Sequence, residues 1–440
     1  MSAHYPHILI VGGGYVGMYT ALRLQRRLRR GEARVTVVDS RSYMTYQPFL
    51  PEAAAGSLEP RHVVVPLRRV LHRWDIVDIV TGEVTGIDPS RQTASVVIHD
   101  GETIEIEYDH LVMAPGSVSR TLPIPGLAEC GIGFKRVEEA IFLRNHVIDQ
   151  LDIAASAQHP RERRKALTFV FVGGGYAGVE ALAELEDMAR SACRFYENIE
   201  ASDMRWVLVE ATGRILPEVG EDMGRYTVRE LQGRGIEVRL QTRLETAVDR
   251  HVVLSDGTEL DTNTLVWTAG VKPHPVIAAS GLPVDDKGRL RATADLQVEG
   301  TTNAWSAGDC AAVPDLTKEP GALCGPSAQH AVRQSKVLAD NIVATLRGLP
   351  TREYKHAYAG SVASLGLHKG VAQVYGVKLR GWPAWFMHRT YHASRVPTFN
   401  RKARVIADWT LAMFFPREIV TLGSVQQPTR EFSTYAARPK

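Results

Sequence analysis

The sequence has few cysteines, and the four it contains are scattered. Cys130, Cys193, Cys310 and Cys324 form no Cys-x-x-Cys pair among the 440 residues. A dithiol–disulfide centre and a cysteine-ligated zinc site both need closely spaced thiols, so the spacing argues against both, and no metal site is expected. Unpaired, scattered cysteines are also typical of a reducing compartment.

Long apolar runs and strongly charged tracts are missing as well. No uninterrupted apolar segment approaches the ~20 residues of a membrane-spanning helix. The N-terminus enters an apolar strand without the cationic and apolar regions of a secretory signal, so we expect a cytoplasmic protein whose membrane contact is peripheral. A formal net charge of +3, without a basic tract or an aromatic-basic ladder, predicts that nucleic acid is not a partner.

The sequence does contain a duplication. Residues 7–24 and residues 168–185 each consist of an apolar run, a glycine loop and a segment with apolar residues at helical spacing. Each is followed by a second β-rich run that ends in an acid, at Asp39 and at Glu210. Two strand–loop–helix–strand units predict an α/β protein with two Rossmann-like dinucleotide-binding domains.

The first loop has the pattern G-x-G-x-x-G at Gly12, Gly14 and Gly17. In such a loop the first glycine permits a tight turn, the second lets the backbone approach a pyrophosphate, and the third allows close helix–strand packing. The helix N-terminus then offers free N–H groups to the phosphates. Because Asp39 at the next strand end can accept hydrogen bonds from ribose hydroxyls, the segment predicts a dinucleotide site.

The second loop repeats the pattern at Gly173, Gly175 and Gly178, with Glu210 as the acid. A carboxylate at this position favours NADH over NADPH, since a 2′-phosphate would meet a like charge.

Other segments predict simpler features. Residues 158–165 are polar and basic, which favours a surface loop that links the two units. Residues 238–266 alternate apolar and polar side chains around a turn at Asp256–Gly257, which predicts a β-meander. A similar signal occupies residues 95–116.

Beyond the two loops, the chain resembles the two-dinucleotide flavin reductases and, among them, the type II NADH dehydrogenases (NADH:quinone oxidoreductases). The resemblance extends to about residue 346 and is looser beyond. It implies that FAD occupies the N-terminal loop and NADH the internal one. The segment TTNAWSAGDCA is similar to the family's strand ending in Gly-Asp, here Gly308–Asp309, and this implies that Asp309 holds the ribityl chain of FAD.

Two further segments look like the family's crossovers between the nucleotide domains. They are LVMAPGS, with Ala114 and Gly116, and LVWTAGVKP, with Ala269 and Gly270. The resemblance implies that the first lies at FAD and the second against NADH.

The segment YMTYQPFLPEAAAG, residues 43–56, contains no cysteine. Glutathione-type reductases need a redox-active cysteine pair in this region, so the absence points away from disulfide chemistry. The segment instead resembles the Thr-Pro-Leu-Leu-Pro-Glu segment of the type II dehydrogenases beside the flavin. Gln47–Pro48 stands at the matching point, which implies one wall of a quinone pocket.

A second match is SAQHAVRQ, with Ala328 and Gln329. Type II dehydrogenases carry Ala-Gln-x-x-x-Gln here, and the first glutamine meets the flavin–quinone face. In this chain Arg333 replaces the second glutamine and Gln334 follows, displaced by about 100° on a helix. Arg333 either contacts the carbonyl of a quinone or an anionic acceptor, or points to solvent.

Glu180 follows the third glycine of the second loop. The resemblance implies a place near the nicotinamide–flavin junction and a role in delivering a proton to quinone. The alternative is a carboxylate near the start of a helix that is stabilised by the helix dipole.

From residue 381 onward, aromatic residues and methionine alternate with cations. The pattern is typical of helices that lie in a membrane interface, and it is similar to the membrane-associating C-terminal helices of the family. The alternative is a helix pair that covers the core or forms a dimer. The aromatic residues concerned are Trp382, Trp385, Phe386, Trp409, Phe414 and Phe415.

These observations predict a discontinuous FAD domain over residues 1–122 and 296–348, an NADH domain over 123–295 and a C-terminal membrane or dimerisation module over 349–440. The predicted activity is that of a non-proton-pumping NADH:quinone oxidoreductase with FAD. It would act on menaquinone or ubiquinone, peripherally at the cytoplasmic face of the cell membrane, with a homodimer as one option. The alternatives are a flavin reductase of the same fold that serves a soluble carrier such as ferredoxin, and a redox-responsive flavoprotein that acts as an interaction partner.

Overall fold

Two largely parallel β-sheets, each containing one of the duplicated apolar runs, organise the protein. The computed structural model describes residues 5–73, 75–357 and 360–421. The end of the predicted C-terminal module, residues 422–440, lies outside the described residues.

Half of the described strands belong to these two sheets. In chain order the strands are β1 (His7–Val11), β2 (Arg34–Asp39), β3 (Tyr43–Thr45), β4 (Val64–Pro66), β5 (Val77–Asp88), β6 (Thr93–Ile98), β7 (Thr103–Glu107), β8 (His110–Met113), β9 (Ser117–Ser119), β10 (Gly131–Gly133), β11 (Thr168–Val172), β12 (Arg205–Val209), β13 (Glu237–Arg239), β14 (Leu244–Thr246), β15 (His251–Leu254), β16 (Glu259–Asp261), β17 (Thr264–Trp267), β18 (Val271–Pro273), β19 (Leu290–Arg291), β20 (Ala304–Ser306), β21 (Ala311–Ala312), β22 (Gly360–Ser364), β23 (Gly370–Val374) and β24 (Val377–Arg380). The described α-helices are α1 (Tyr15–Arg27), α2 (Leu50–Ala54), α3 (Leu67–Val70), α4 (Leu127–Cys130), α5 (Val137–Ser156), α6 (Pro160–Ala166), α7 (Tyr176–Ala192), α8 (Glu221–Gln232), α9 (Ala328–Leu346), α10 (Trp382–Arg395) and α11 (Phe399–Phe414).

The first sheet has the strand order β20-β8-β1-β2-β5-β6-β7. Its first five strands pair in parallel, and β5, β6 and β7 continue it as an antiparallel extension. All five residues of β1 are buried, which explains why it reads as a continuous apolar run. Because β20 follows the whole second sheet in sequence, the chain returns to the first sheet after building the second.

Residues that precede β20 already pack against the first sheet. Val276, Ile277 and Leu290 pack with Leu9 and Leu111 of the first sheet. The predicted boundary at residues 295–296 lies after these contacts, and we propose that the FAD-binding unit resumes near Pro275.

The second sheet is parallel, with the order β10-β17-β11-β12-β13. The predicted β-meander is confirmed as β14-β15-β16, with Gly257 in the turn between the last two strands. Its predicted ends were too wide, because β13 and β17 belong to the parallel sheet. The prediction of a loop at 158–165 was wrong: α6 begins there with Pro160 in its first turn and three basic residues in its last, an arrangement that favours a helix.

The C-terminal region adds the antiparallel sheet β22-β23-β24 and the helices α10 and α11. A buried carboxylate, Glu52 of α2, fastens both helices to the body of the protein. It accepts hydrogen bonds from Arg389 at 2.9 Å and from the indole N–H of Trp409 at 2.6 Å. Within the residues described, no helix combines the length and the apolar character needed to cross a bilayer.

Candidate active site

A continuous cavity of about 2680 Å³ lies between the two glycine loops and extends to the C-terminal helices. A drug-sized ligand fills a pocket of roughly 300–1000 Å³, so the cavity has room for more than one substrate-sized molecule. Most of the residues predicted for the site line it, and they are Gly12, Gly14, Asp39, Gln47, Pro48, Ala114, Gly116, Gly173, Gly175, Glu180, Glu210, Ala269, Gly270, Asp309, Ala328, Gln329 and Arg333.

The third glycines, Gly17 and Gly178, do not line the cavity but hold each helix against its loop. A Cβ atom on Gly17 would lie 1.8 Å from the carbonyl oxygen of Gly12, and one on Gly178 would lie 2.0 Å from that of Gly173. Neither position can therefore carry a side chain without displacing the loop.

The second glycines face open space. A Cβ atom on Gly14 or Gly175 would meet nothing within 4 Å, and each glycine is the N-cap of its helix, α1 or α7. Backbone N–H groups at such helix ends form an anion-binding site. Both loops therefore offer the space and the donors that a pyrophosphate requires.

The two acids are used in the same way in both units. Asp39 accepts hydrogen bonds from the backbone N–H of Gly13 at 2.6 Å and of Arg41 at 2.8 Å. Glu210 accepts them from Gly174 at 2.6 Å and from Thr212 at 2.7 Å. Each carboxylate thus ties its glycine loop to the neighbouring strand while it lines the cavity.

Asp309 lies in a polar network that includes a lysine the sequence did not point to. The hydroxyl of Ser117 donates to Asp309 Oδ2 at 2.7 Å and accepts a hydrogen bond from Lys135 Nζ. Burial lowers the pKa of Lys135, although the charge of Asp309 opposes this. The cavity wall here combines a carboxylate acceptor, a hydroxyl and a half-buried cation, which suits a ligand rich in hydroxyl groups.

The glycine before Asp309 is fixed by α9. Gly308 has a φ of +75°, and its N–H donates to Gln334 Oε1 at 2.8 Å. Gln334 is buried and is not among the residues that line the cavity. The glutamine that follows Arg333 thus serves the turn at Gly308.

Arg333 does line the cavity, and it is half-buried. Its guanidinium donates to the backbone oxygen of Gln329 at 3.0 Å. Gln329 in turn donates to the backbone oxygen of Gly360 at 3.3 Å and has His356 Nε2 3.2 Å from its Oε1. Arg333 therefore lies in the cavity wall beside Gln329.

Glu180 is a buried member of the wall. Its Oε1 accepts a hydrogen bond from the backbone N–H of Ser364 at 2.8 Å and lies 3.4 Å from Nε2 of His388. The contacts come from β22 and α10, so the carboxylate is held by the C-terminal region. The sequence carried no signal for either partner.

One corner of the cavity, which includes residues of α10, is aromatic and partly cationic. The hydroxyl of Tyr46 lies 3.1 Å from His392 Nδ1, within hydrogen-bond distance, and the ring of Tyr46 packs against Phe49. The residues of this corner are Tyr15, Tyr19, Tyr46, Lys336, Met387, Tyr391, His392 and Arg395. A flat aromatic acceptor with polar oxygens fits such a wall.

The cysteines lie away from the cavity. None of the four cysteines, all within the described ranges, lines it, and none forms a disulfide. Burial raises the pKa of Cys310 and of Cys324 to about 11, so both thiols stay protonated near neutral pH.

Comparison with known proteins agrees with this geometry. Residues 6–335 match the family described as pyridine nucleotide-disulphide oxidoreductase. A type II NADH:quinone oxidoreductase of Staphylococcus saprophyticus is 32% identical over 393 residues, which cover 88% of this chain and 94% of the relative. The corresponding protein of Staphylococcus epidermidis is 30% identical over the same coverage.

Solved structures share the fold. NDH2 from Plasmodium falciparum in complex with NADH superposes with a TM-score of 0.87 at 18% identity, covering 95% of this chain and 100% of the other. The sulfide:quinone oxidoreductase of Aquifex aeolicus gives 0.70 at 17% identity, with coverage of 94% and 96%.

Proposed function

Since this chain belongs to the pyridine nucleotide-disulphide oxidoreductases and, among them, to the type II NADH:quinone oxidoreductases, we propose that its cavity passes reducing equivalents from NADH through FAD to a membrane quinone. The chain is an NADH dehydrogenase that uses FAD and NADH, and it reduces a quinone. The observation that carries the proposal is the continuity of the cavity, which joins both glycine loops to the aromatic corner.

The residues present fit the two nucleotides. Gly14 and Asp39 offer an open helix N-terminus and a strand-end carboxylate for FAD, and Gly175 and Glu210 offer the same pair for NADH. FAD, once bound, supplies the chemistry of accepting a hydride and releasing electrons. We assign Asp309 to the ribityl hydroxyls, with Ser117 holding its carboxylate in place.

The protein's own contribution is placement. Rigid cavity walls are needed to hold a nicotinamide ring and an acceptor in place for reaction. The residues that line the cavity at the two crossover segments are Ala114, Gly116, Ala269 and Gly270. Holding the partners at reacting distance lowers the entropic part of the barrier. Gln47 and Pro48 are proposed as the wall on the acceptor side, with Ala328 and Gln329 opposite.

The proposal predicts two separable half-reactions. NADH added without oxygen should bleach the flavin absorbance, and subsequent mixing with a menaquinone or ubiquinone analogue should restore it. A reduced protein that no quinone reoxidises, but that a soluble iron–sulfur carrier does, would replace the quinone by the soluble carrier. The comparisons do not favour that alternative.

We also propose that the C-terminal helices rest on an anionic membrane surface at the cytoplasmic face. Their outward apolar residues include Phe399, Met413 and Phe414, which are 85%, 74% and 75% exposed. Arg401 and Arg404 lie on the same helix, and burial, together with the charges of Arg404 and Arg69, lowers the pKa of Arg401. Aromatic side chains at headgroup depth beside cations are typical of interfacial helices.

Vesicle flotation tests this surface. The protein should float with phosphatidylglycerol vesicles and less with phosphatidylcholine, and Met413→Ser combined with Phe414→Ser should abolish flotation. Phe195→Ser, which removes a 59% exposed aromatic from the NADH-binding unit, is the control and should float as the wild type does. A protein that stays unbound and sediments as a dimer, which becomes monomeric in the double variant, would assign the face to a homodimer instead.

A further inference from the structure

A row of buried titratable side chains joins the two ends of the cavity. Nε2 of His388 lies 3.4 Å from Glu180 Oε1, and its ring centroid is 4.6 Å from that of His392. Nδ1 of His392 lies 3.1 Å from the hydroxyl of Tyr46. Glu180, His392 and Tyr46 line the cavity, and His388 lies between them, only 1% exposed and not part of the cavity wall.

The charges around His388 favour its protonated form. Glu180 and Glu184 face it from α7, and Glu52 faces it from α2. Two of these carboxylates have arginine partners, since Glu52 pairs with Arg389 and Glu184 with Arg417. The recorded ion partner of Glu180 within the described chain is His388.

The pKa values of His388 and His392 are shifted in opposite directions. Burial alone lowers the pKa of His388, but the hydrogen bond and charge of Glu180, with the charges of Glu52 and Glu184, outweigh it and raise the pKa above 6.5. Burial and the charge of His388 hold the pKa of His392 well below 6.5. A proton in this row therefore resides on His388, while His392 stays neutral.

Nδ1 of His388 has no hydrogen-bond partner in the described part of the chain, and Nε2 has only the long, 3.4 Å contact with Glu180. A buried, charged imidazole held by one long contact is poorly explained as a structural group, because burying it costs free energy that several aligned partners normally offset.

We propose that His388 is a positioning residue that stores a proton beside Glu180 and supplies it, through that carboxylate, to the quinone. The inference rests on the proposed function. Conversion of NADH, a proton and a quinone into NAD⁺ and a quinol needs one proton beyond the hydride, which carries two electrons and one proton. The Nε2 proton of His388 moves to Glu180 and from there to the quinone oxygen, and neutral His388 regains a proton across His392 from the cavity side.

The two half-reactions give the first test. In His388→Gln, flavin reduction by NADH should stay within about twofold of wild type, whereas quinone reduction by the reduced protein should slow about 100-fold, the usual scale for a positioned acid. The wild-type rate of quinone reduction should fall as pH rises through the pKa of His388, because the stored proton is lost, and the variant should lack this fall. The control is His146→Gln, which replaces a half-buried histidine that does not line this cavity.

A wild-type rate and pH profile in His388→Gln would overturn the proposal, and so would an equal loss in both half-reactions, which indicates a structural role. Histidine-selective NMR of the whole protein gives a test that does not depend on turnover or on folding of that variant. A histidine that titrates above pH 6.5 in the wild type should titrate at lower pH in Glu180→Gln, whereas His251, whose pKa its hydrogen bond to Asp261 also raises, should titrate alike in both proteins. Identical histidine titrations in both proteins would overturn the proposal.

Different results would refute the proposed quinone function and the proposed role of His388. A reduced wild-type protein that no quinone reoxidises would refute the quinone function itself, and the acceptor role of His388 with it. Quinone reduction that is normal in wild type and unchanged in His388→Gln would refute only the role of the histidine.

Discussion

The amide oxygen of Gln334 accepts the backbone N–H of Gly308 at 2.8 Å, so helix α9 holds the turn that presents Asp309 to the cavity. By sequence alone, Gln334 is a glutamine displaced from the acceptor face. In the structure its amide accepts the N–H of half-buried Gly308, in a turn whose φ of +75° favours glycine. The family's second glutamine position and the glutamine one residue later therefore do different work in this chain.

Replacing the side-chain amide of Gln334 should weaken the binding of FAD. Gln334→Leu leaves the N–H of Gly308 unpaired, which costs ~1–3 kcal/mol for a buried donor. We expect roughly a tenfold or greater rise in the dissociation constant of FAD, measured as flavin lost per protein on dialysis. Gln150→Leu is the matched control, since Gln150 is a buried glutamine on α5 that bonds Asn263, and it should retain flavin as the wild type does. Equal flavin content in all three proteins would contradict the assigned role of Gln334.

The strand-end acids should separate the two nucleotide sites. Glu210→Gln removes the charge that opposes a 2′-phosphate while keeping an oxygen for the N–H of Gly174. We expect the ratio of kcat/KM for NADPH to that for NADH to rise about tenfold, equivalent to ~1.4 kcal/mol.

Asp39→Asn is the paired control, because Asp39 performs the same loop contact in the other unit. It should weaken FAD retention without changing the choice between NADH and NADPH. A shift in that choice caused by Asp39→Asn, and not by Glu210→Gln, would exchange the two assignments.

Thiol reagents should leave the enzyme active. Cys310 and Cys324 are buried with pKa values raised to about 11, and the nucleophilic thiolate is scarce at pH 7.5. We expect iodoacetamide to leave turnover with NADH and a quinone unchanged, with the alkylated cysteines counted by mass spectrometry. Loss of turnover in proportion to modification of a single cysteine would reopen the case for thiol chemistry.

Arg333 should favour anionic acceptors. Its guanidinium lines the cavity at Gln329, so Arg333→Gln should raise the KM for ferricyanide several-fold more than the KM for an uncharged quinone. The difference should shrink as salt is added, because screening weakens the attraction of an exposed charge. Arg225→Gln, which removes a surface arginine paired with Glu221 and Asp222, should change neither KM.

Glu52 should be the strongest single anchor of the C-terminal helices. Glu52→Gln leaves the buried guanidinium of Arg389 without its countercharge, and breaking such a pair costs ~3–5 kcal/mol. Urea denaturation should show a loss of this size, and Glu52→Gln combined with Arg389→Met should be less destabilised than the sum of the single variants. Arg205→Gln, at the partly exposed pair with Glu237, should cost less than about 1 kcal/mol.

The parts of the site that follow from local sequence were predictable. Each glycine loop and the turn at Gly308–Asp309 are short sequence motifs, and each acid stands at the end of the strand that follows its loop in the same unit. Gly17 illustrates this, because the atom that excludes a side chain there belongs to Gly12.

The parts that depend on contacts between distant segments were not predictable from residue spacing. Glu180 meets Ser364 and His388 across roughly half the chain, and Lys135 reaches Asp309 through Ser117. The loop predicted at residues 158–165 was wrong for a different reason. Polarity does not distinguish a loop from an exposed helix, and a proline in the first turn followed by cations suits a short exposed helix.

Helices α10 and α11 turn exposed aromatic residues outward and Arg389, His392 and Trp409 towards the body of the protein. These two helices therefore cannot be replaced by an unrelated C-terminal segment without loss of contacts to the rest of the protein. A C-terminal segment grafted from another protein would have to bring residues that match Glu52 and Glu180, or the graft would dismantle the acceptor wall. For the same reason, a shortened protein made more soluble by removing these helices is a poor stand-in for the intact enzyme when inhibitors of quinone reduction are screened.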